Sequence, residues 1–553
     1  MTLSQLLKSI SRQEWFFVVF LVLVMIIITT APLLYGWLIT PPNQVFTGIH
    51  FAAPNDWFVY YSYLEQVREG NWLFKDLFTA EPNLPVLNLG WLGVGLLAKI
   101  FSLNNILAFN LARVILIPVF YFVAYLFLAL IFSDLAKRKI ALVLLSFASG
   151  LGIFLIDLVI KYPFNFSNGQ FNWPMDLWVP ESNTFLTLYY SPHFIASLTL
   201  ILLIFLLAVL FIDNKKLSYG FWAGILALAL FSFHPFHVPT VLGVILAYFI
   251  VLMFWQKQWQ WPLVRYYSIL LVFSLPAISY YFYLLKFDWV TIQKFYQNLC
   301  FTTPFAVTLF SYGLLLVFSL VGIYFLFKDK TELNNKIIFI IVWFTAQFFL
   351  IYSPVNFQRR LTEGLHFPLV VLAAVGLFAA YNSAKQQKTK LSKFIFSWRY
   401  VALFILIFLF SGSNIFALAT DFFIYRNGLT YSYLDKDVVA AASWLKNIPP
   451  DKVIFNSADY IINILPAFSS RKVYVGHGVE TPSFGRKQLE VNLFFQRNRE
   501  PEVERDFLLK RNTGYIFYSI SEKELGSYNP DVKAYLKKVF ENPQVKIYQV
   551  LPR

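Results

Sequence analysis

From residue 15 onward the chain alternates long apolar runs with short polar stretches. The runs at 15–38, 106–132, 140–160, 194–212, 219–233, 238–255, 266–285, 305–327, 337–352, 364–380 and 400–419 are candidate membrane spans, since a helix of about 20 apolar residues crosses roughly 30 Å of hydrocarbon. A further run at 86–101 is short for a span and reads as a re-entrant or surface-lying helix. Between Pro54 and Gly70 the helical period is one-sided. Trp57, Tyr60, Tyr61, Leu64 and Val67 make an apolar, aromatic face with Glu65, Gln66 and Glu69 turned away, which predicts an amphipathic helix lying on the membrane surface.

After residue 434 the pattern shortens. A helical stretch at 436–446 is followed by β-runs at 452–456, 472–475, 515–518 and 545–550, with helices between them, one of them at 531–540. Such alternation predicts a small α/β domain with a largely parallel sheet. The expected architecture is an all-α polytopic membrane bundle of about 11 transmembrane helices over 1–433, with a C-terminal extracytoplasmic α/β domain over 434–553.

Composition excludes a water-soluble fold for the first part: 58% of the residues are hydrophobic and 14% charged, against about 25% charged in soluble domains. The net charge of +15 would suggest nucleic acid in a soluble protein. Here it is an orientation signal, because most Lys and Arg sit in short loops. With a cytoplasmic N-terminus and a non-crossing 86–101, the groups Lys137-Arg138-Lys139, Lys215-Lys216, Lys257 with Arg265, Lys328/Lys330/Lys336 and Lys385/Lys388/Lys390/Lys393 all fall inside. The outer segments are then 39–85, 161–193, 286–304 and everything from 420. Lys8 and Arg12 precede the first run as in a signal peptide, but its length and the lack of a small-residue cleavage site mark a retained span. Cys300 is the only cysteine, so no intrachain disulfide or thiolate cluster forms.

The outer segments carry the candidate chemistry. Asp56 opens the one-sided helix, where a carboxylate caps backbone N–H groups and also stays ionised, ready to accept a proton. Val59 stands where a capping box would place Glu or Gln. His234 and His237 flank Pro235 between two spans; the prolines break the helix that would align them and no carboxylate accompanies them in sequence. Metal ligation, hydrogen bonding to a phosphate or sugar, and a plain interfacial turn are the competing readings. Arg359 and Arg360 sit outside against the positive-inside bias, which points to an anionic ligand or to a salt bridge with Glu363. Glu181 and His193 lie in the second outer segment, and Asp157 closes its preceding span as a cavity-facing or merely interfacial acid. Gly476-His477-Gly478 follows a β-run, a position common to ligand sites and tight turns.

Together these features resemble the C-type glycosyltransferase superfamily, GT-C, polytopic enzymes that include protein O-mannosyltransferases, lipid A aminoarabinose transferases and oligosaccharyltransferases. The resemblance rests on Asp56 after the first span, the helix ending Arg68-Glu69-Gly70-Asn71-Trp72, the run Glu81-Pro82-Asn83-Leu84-Pro85, Arg113 in the next span, the outer His-Pro and Arg-Arg elements, and the C-terminal domain. Many members carry two adjacent acids where this chain has Asn55-Asp56, which weakens the case for a metal-bound active site. The resemblance implies an enzyme of the bacterial plasma membrane that moves a sugar, with inversion, from a polyprenyl-phosphate-linked donor to an extracytoplasmic glycan, lipid or protein acceptor. Asp56 would be the general base, with Arg359, Arg360 and His234 around the phosphate and Trp57 or Tyr61 stacked on sugar. Glu65, Asp157, Glu181, His193, His237 and Glu363 complete the candidate substrate-binding set. No cofactor is fixed by this chemistry, and a divalent cation stays open; membrane lipids are partners and nucleic acid is not. The rival classes are a polytopic transporter or lipid flippase, and a non-catalytic subunit of an envelope glycan assembly complex. Transporters tend to show repeated halves and midplane charges, which this sequence lacks.

Overall fold

The computed structural model describes residues 2–161, 173–329, 333–386, 399–429, 431–457 and 463–553. Lys330, Lys388, Lys390, Lys393 and the stretch 162–172 of the second outer segment lie outside them. The chain divides into two compact units. The first comprises Met1–Pro32, Asn110–Tyr281 and Leu299–Thr420; the second comprises Leu33–Phe109, Phe282–Asn298 and Asp421–Arg553. Residues 421–553 thus fall in the same unit as 33–109 and 282–298.

The fold is polytopic and helical. Among the described residues, eight helices are long and apolar enough to cross a membrane: Arg12–Leu38, Asn105–Ile131, Leu135–Leu155, Pro192–Asn214, Pro235–Gln256, Trp261–Phe287, Phe305–Asp329 and His366–Gln386. The runs at 219–233 and 337–352 form the shorter helices Ser218–Phe233 and Asn335–Leu350, and the run at 400–419 lies in Arg399–Asn427. Helices Phe305–Asp329 and His366–Gln386 meet backbone to backbone in the first unit. A Cβ on Gly322 would fall 2.1 Å from the Leu372 carbonyl oxygen, and one on Gly376 2.0 Å from that of Phe318. Small residues at the crossing are what membrane helix pairs use when apolar burial gives no net drive. The helix Phe305–Asp329 also bends at Gly313, whose φ of 45° with ψ of −128° suits glycine alone.

In the second unit, strand β1 (Gln44–Phe46) pairs antiparallel with β2 (Tyr433–Asp435). A four-stranded sheet has the order β3 (Val453–Phe455), β4 (Thr513–Tyr518), β6 (Lys546–Val550), β5 (Leu536–Glu541). Only β3 and β4 run parallel; the other two pairings are antiparallel. The largely parallel sheet expected from the sequence is thus corrected to a mixed one. The helix expected at 531–540 is replaced by a short 3-10 turn, Pro530–Val532, and strand β5. The cause is the turn that follows: Asn542 accepts hydrogen bonds from the backbone N–H groups of Gln544 and Val545 through its side chain, closing a hairpin that folds β5 back onto β6. The run at 472–475 makes isolated bridges, Val473 to Ile454 and Val475 to Thr79. Phe455, Phe494, Phe495, Ile516, Tyr518 and Tyr548 fill the core beside the sheet.

Helix Leu89–Ile100 has 12 residues, about 18 Å at 1.5 Å per residue, which is too short to span. Asn88 caps it by accepting from the Trp91 N–H at 3.0 Å. It packs on the helix Asp56–Arg68, where Gly95 lies so close to Val67 that an added Cβ would come within 2.5 Å. The one-sided reading of Asp56–Arg68 is also corrected, because both faces are covered. Glu65, expected to face outward, is buried between Lys446 Nζ at 2.8 Å, Asn105 Nδ2 at 3.0 Å and the Arg68 guanidinium, and Gln66 is tied to the backbone of Lys75.

The glycine crossing gives a direct test. Gly376→Leu is expected to destabilise the detergent-solubilised protein by roughly 1–3 kcal/mol or more, seen as a lower thermal midpoint. Gly243→Ala, whose added Cβ would have its nearest neighbour at 3.7 Å, is expected to stay within about 0.5 kcal/mol of the parent.

Candidate functional site

The first unit gathers seven of the sequence-selected residues, Glu181, His193, His234, His237, Arg359, Arg360 and Glu363. Helix Ser218–Phe233 stops at His234, and Pro235–His237 forms a 3-10 turn before helix Val238–Gln256 begins. Pro235 has no N–H to continue the preceding helix. A 3-10 turn has three residues per turn, so positions i and i+3 lie on the same side. The prolines therefore align the two histidines rather than separating them: His234 Nδ1 and His237 Nε2 are 3.2 Å apart. The missing carboxylate comes from far along the chain, with Glu363 Oε2 lying 2.7 Å from His237 Nε2 and 3.7 Å from His234 Nδ1. These three side chains are buried and could hold a metal ion together.

Glu363 is held from both ends. It follows the 3-10 turn Gln358–Thr362 and precedes Gly364, whose φ is 93°. Gln347 Nε2 donates to the carbonyls of Leu361 and Glu363, each at 2.7 Å, and its own Oε1 accepts from Trp343 Nε1 at 2.6 Å. Ser197 Oγ donates to the other carboxylate oxygen, Oε1. Burial pushes this carboxyl up, but His237 and His234 outweigh it and hold it down at about 2. Burial pushes His234 down to about 4 against the pull of Glu363. Near neutral pH the cluster thus holds a carboxylate beside a neutral His234.

The same turn sets out the arginines. The Arg359 guanidinium lies 4.5 Å over the Trp178 ring and that of Arg360 4.8 Å over Phe236. Arg360 Nη1 stands 3.9 Å from Glu181 Oε1, so Glu181 takes the ion-pair place the sequence reading offered to Glu363. His193 opens helix Pro192–Asn214, its Nδ1 2.6 Å from Ser191 Oγ and its ring 5.0 Å from that of His234. Asp157 is exposed in the short helix Ile156–Lys161.

The second unit holds Asp56. Its carboxylate, with 40% of its side chain exposed, lies 3.0 Å from the Nε2 of the buried His477. Asn55, at the capping position, makes no side-chain cap bond. His477 Nδ1 accepts from the Val479 N–H at 3.3 Å, which leaves the proton on Nε2 pointed at Asp56. Burial lowers the affinity of this imidazole for a second proton, yet Asp56 and then Glu480 more than compensate, and its value stands above the usual 6.5. Beside it, Lys294 bridges Asp76 at 3.1 Å and Glu480. Trp57 and Tyr61 are core residues here. Trp57 packs on Phe109 with ring centroids 4.4 Å apart, and the Tyr61 hydroxyl donates to the Thr47 carbonyl at 3.0 Å.

Sequence reasoning missed Ser197, Gln347 and the pairing of Asp56 with His477. It also missed a buried pair in the second unit, His50 Nδ1 and Asp421 Oδ2 at 2.5 Å. Serine and glutamine in apolar runs carry no motif; their only signal is a polar side chain where hydrocarbon is expected.

No family model and no curated protein sequence matches the chain. Solved structures do. The oligosaccharyltransferase of Archaeoglobus fulgidus tethered to an acceptor peptide matches with a TM-score of 0.52 and 14% identity over 92% of this chain and 70% of its own. The archaeal oligosaccharyltransferase AglB of the same organism, in complex with an inhibitory peptide and a dolichol-phosphate, gives 0.50 and 14% over 92% and 70%. Mycobacterial arabinofuranosyltransferase AftD gives 0.53 and 11% over 98% of this chain and 40% of its own. At these identities the likeness shows a shared fold alone.

The pairing of Asp56 with His477 predicts a specific titration. Because the folded value of His477 is raised, the pair's contribution to stability is complete below the ordinary value near 6.5 and is lost as pH rises through the higher folded value. In histidine-labelled full-length protein the His477 resonance, identified by its loss in His477→Gln, is expected to titrate above 6.5. In Asp56→Asn the same resonance moves down, since Glu480 alone then opposes burial.

Proposed function

We propose that this protein is a membrane glycosyltransferase that moves a sugar from a polyprenyl-phosphate-linked donor to an acceptor outside the cytoplasm, inverting the anomeric centre, with Asp56 as general base. The observation that carries the reading is the state of Asp56: a carboxylate open to solvent at a helix start, paired with an imidazole whose proton points at it. The GT-C fold supports it, as does the dolichol-phosphate held by the archaeal relative.

The chemistry asked of such an enzyme is modest. A phosphate leaves the anomeric carbon without strong acid assistance, so a base to accept the acceptor's proton and cations to neutralise the departing charge suffice. As the acceptor heteroatom bonds to the anomeric carbon, its proton passes to Asp56, the bond from that carbon to the phosphate oxygen breaks, and the electron pair leaves on the phosphate. A single displacement of this kind inverts. Arg359 and Arg360 are assigned to phosphate recognition, since stacking on Trp178 and Phe236 orders their planar forks. Glu181, His193 and His234 are assigned to the same first-unit group. Trp57, Tyr61 and Glu65 are assigned to shaping the second unit around Asp56, their burial leaving no open face for a sugar.

The test is transfer in proteoliposomes supplied with mannosyl, glucosyl or arabinofuranosyl polyprenyl phosphate and an extract of envelope glycan. Asp56→Asn is expected to reduce transfer by about 10²–10⁴-fold. Unchanged transfer would remove Asp56 as base. Arg359→Lys, which keeps the charge and loses the planar fork, is expected to raise the donor KM several-fold with a smaller change in kcat.

A further inference from the structure

We infer that His234, His237 and Glu363 form a binding site for a divalent cation of the zinc class. Three donor atoms of the types zinc prefers, two imidazole nitrogens and a carboxylate oxygen, converge from segments more than a hundred residues apart. Around a tetrahedral ion with ligands at about 2.0–2.2 Å, ligand atoms stand roughly 3.2–3.6 Å from one another. The pair His234 Nδ1 to His237 Nε2 is at 3.2 Å and the pair His234 Nδ1 to Glu363 Oε2 at 3.7 Å. Only the pair His237 Nε2 to Glu363 Oε2, at 2.7 Å, has to open, by less than about 1 Å.

Without an ion, one proton on His237 Nε2 serves both Glu363 Oε2 at 2.7 Å and His234 Nδ1 at 3.2 Å. A cation between the three atoms meets a lone pair from each. The surrounding contacts also act as a zinc site requires. Ser197 holds the second oxygen of Glu363, and Gln347 fixes the backbone on both sides of it, so the carboxylate is oriented from outside the ligand set. Three protein ligands leave one tetrahedral position for water or an anionic oxygen, the composition of exchangeable rather than closed zinc sites.

The experiment uses the full-length protein in detergent, stripped by a chelator and titrated with Zn²⁺ by calorimetry and with Co²⁺ by visible absorption. The expected result is one ion per chain, with the intense absorption of tetrahedral cobalt displaced by zinc. Glu363→Gln and His237→Gln are expected to weaken binding at least about 100-fold, while His477→Gln leaves it unchanged. Absence of stoichiometric binding, or binding unaffected by both variants, overturns the site. If those variants do not fold, as judged by size exclusion, X-ray absorption of the zinc-loaded parent decides: fewer than two imidazole ligands overturns it. None of these readouts uses sugar transfer, so the cation site and the glycosyltransferase reading stand or fall separately.

Discussion

A helix that ends in apolar surroundings leaves backbone N–H and carbonyl groups that must find partners, because no water is at hand to take them. The first unit meets this constraint with side chains, and the chemistry collects where it does so. Gln347 satisfies two carbonyls at the turn before helix His366–Gln386, and that same turn presents Arg359, Arg360 and Glu363. Pro235 removes a donor where helix Ser218–Phe233 ends, and the turn it starts presents His234 and His237. A broken helix frees backbone groups that need partners, and at the turn before helix His366–Gln386 the side chain of Gln347 supplies them.

The second unit answers a different constraint. Its segment 39–85 is rich in acids, Asp56, Glu65, Glu69, Asp76 and Glu81, and each meets a cation or imidazole from the same unit: His477, Lys446, Arg471, Lys294 and Lys487. Removing one partner from a buried pair of this kind is costly, because the other charge is left without compensation. The pattern holds the segment to the sheet region with direction as well as with area. Asp76, almost fully desolvated, is driven up to about 6 even with Lys294 beside it, which shows how strongly burial works against these acids.

Much of the fold was legible in the sequence. Apolar runs mark helices because length and hydropathy alone decide whether a segment can cross hydrocarbon, and the candidate spans are helical except the run at 140–160, which breaks after Phe147 and resumes as the 3-10 turn Gly152–Leu155 and the short helix Ile156–Lys161. The short helix Leu89–Ile100 was legible for the same reason. The tail was less so. A β-run such as 536–541 is too short for periodicity to separate strand from helix, and what settled it was the turn chemistry of Asn542. The sites divide along similar lines. Residue types were legible, since histidine, arginine and acid in apolar or outer segments demand a reason. Partners were not. Glu363 lies 126 positions from His237, and the alignment of His234 with His237 depends on a three-residue turn that reading Pro235 only as a helix breaker hides.

The discontinuity of the second unit also bears on biosynthesis. Thr47, beside β1, donates its backbone N–H and its hydroxyl to the carbonyl of Ser432, 385 positions later. A chain made at about 5–20 residues per second has its first outer segment emerge tens of seconds before the strand, lysines and His477 that complete it. During that interval the acids of the segment and the edge of β1 have none of their final companions. Closing so long a loop adds little to the equilibrium cost, but it makes completion of this unit a late, all-or-nothing event. A ribosome that stalls before residue 433 would leave Glu65, Glu69, Asp56 and Glu81 without Lys446, Arg471, His477 and Lys487.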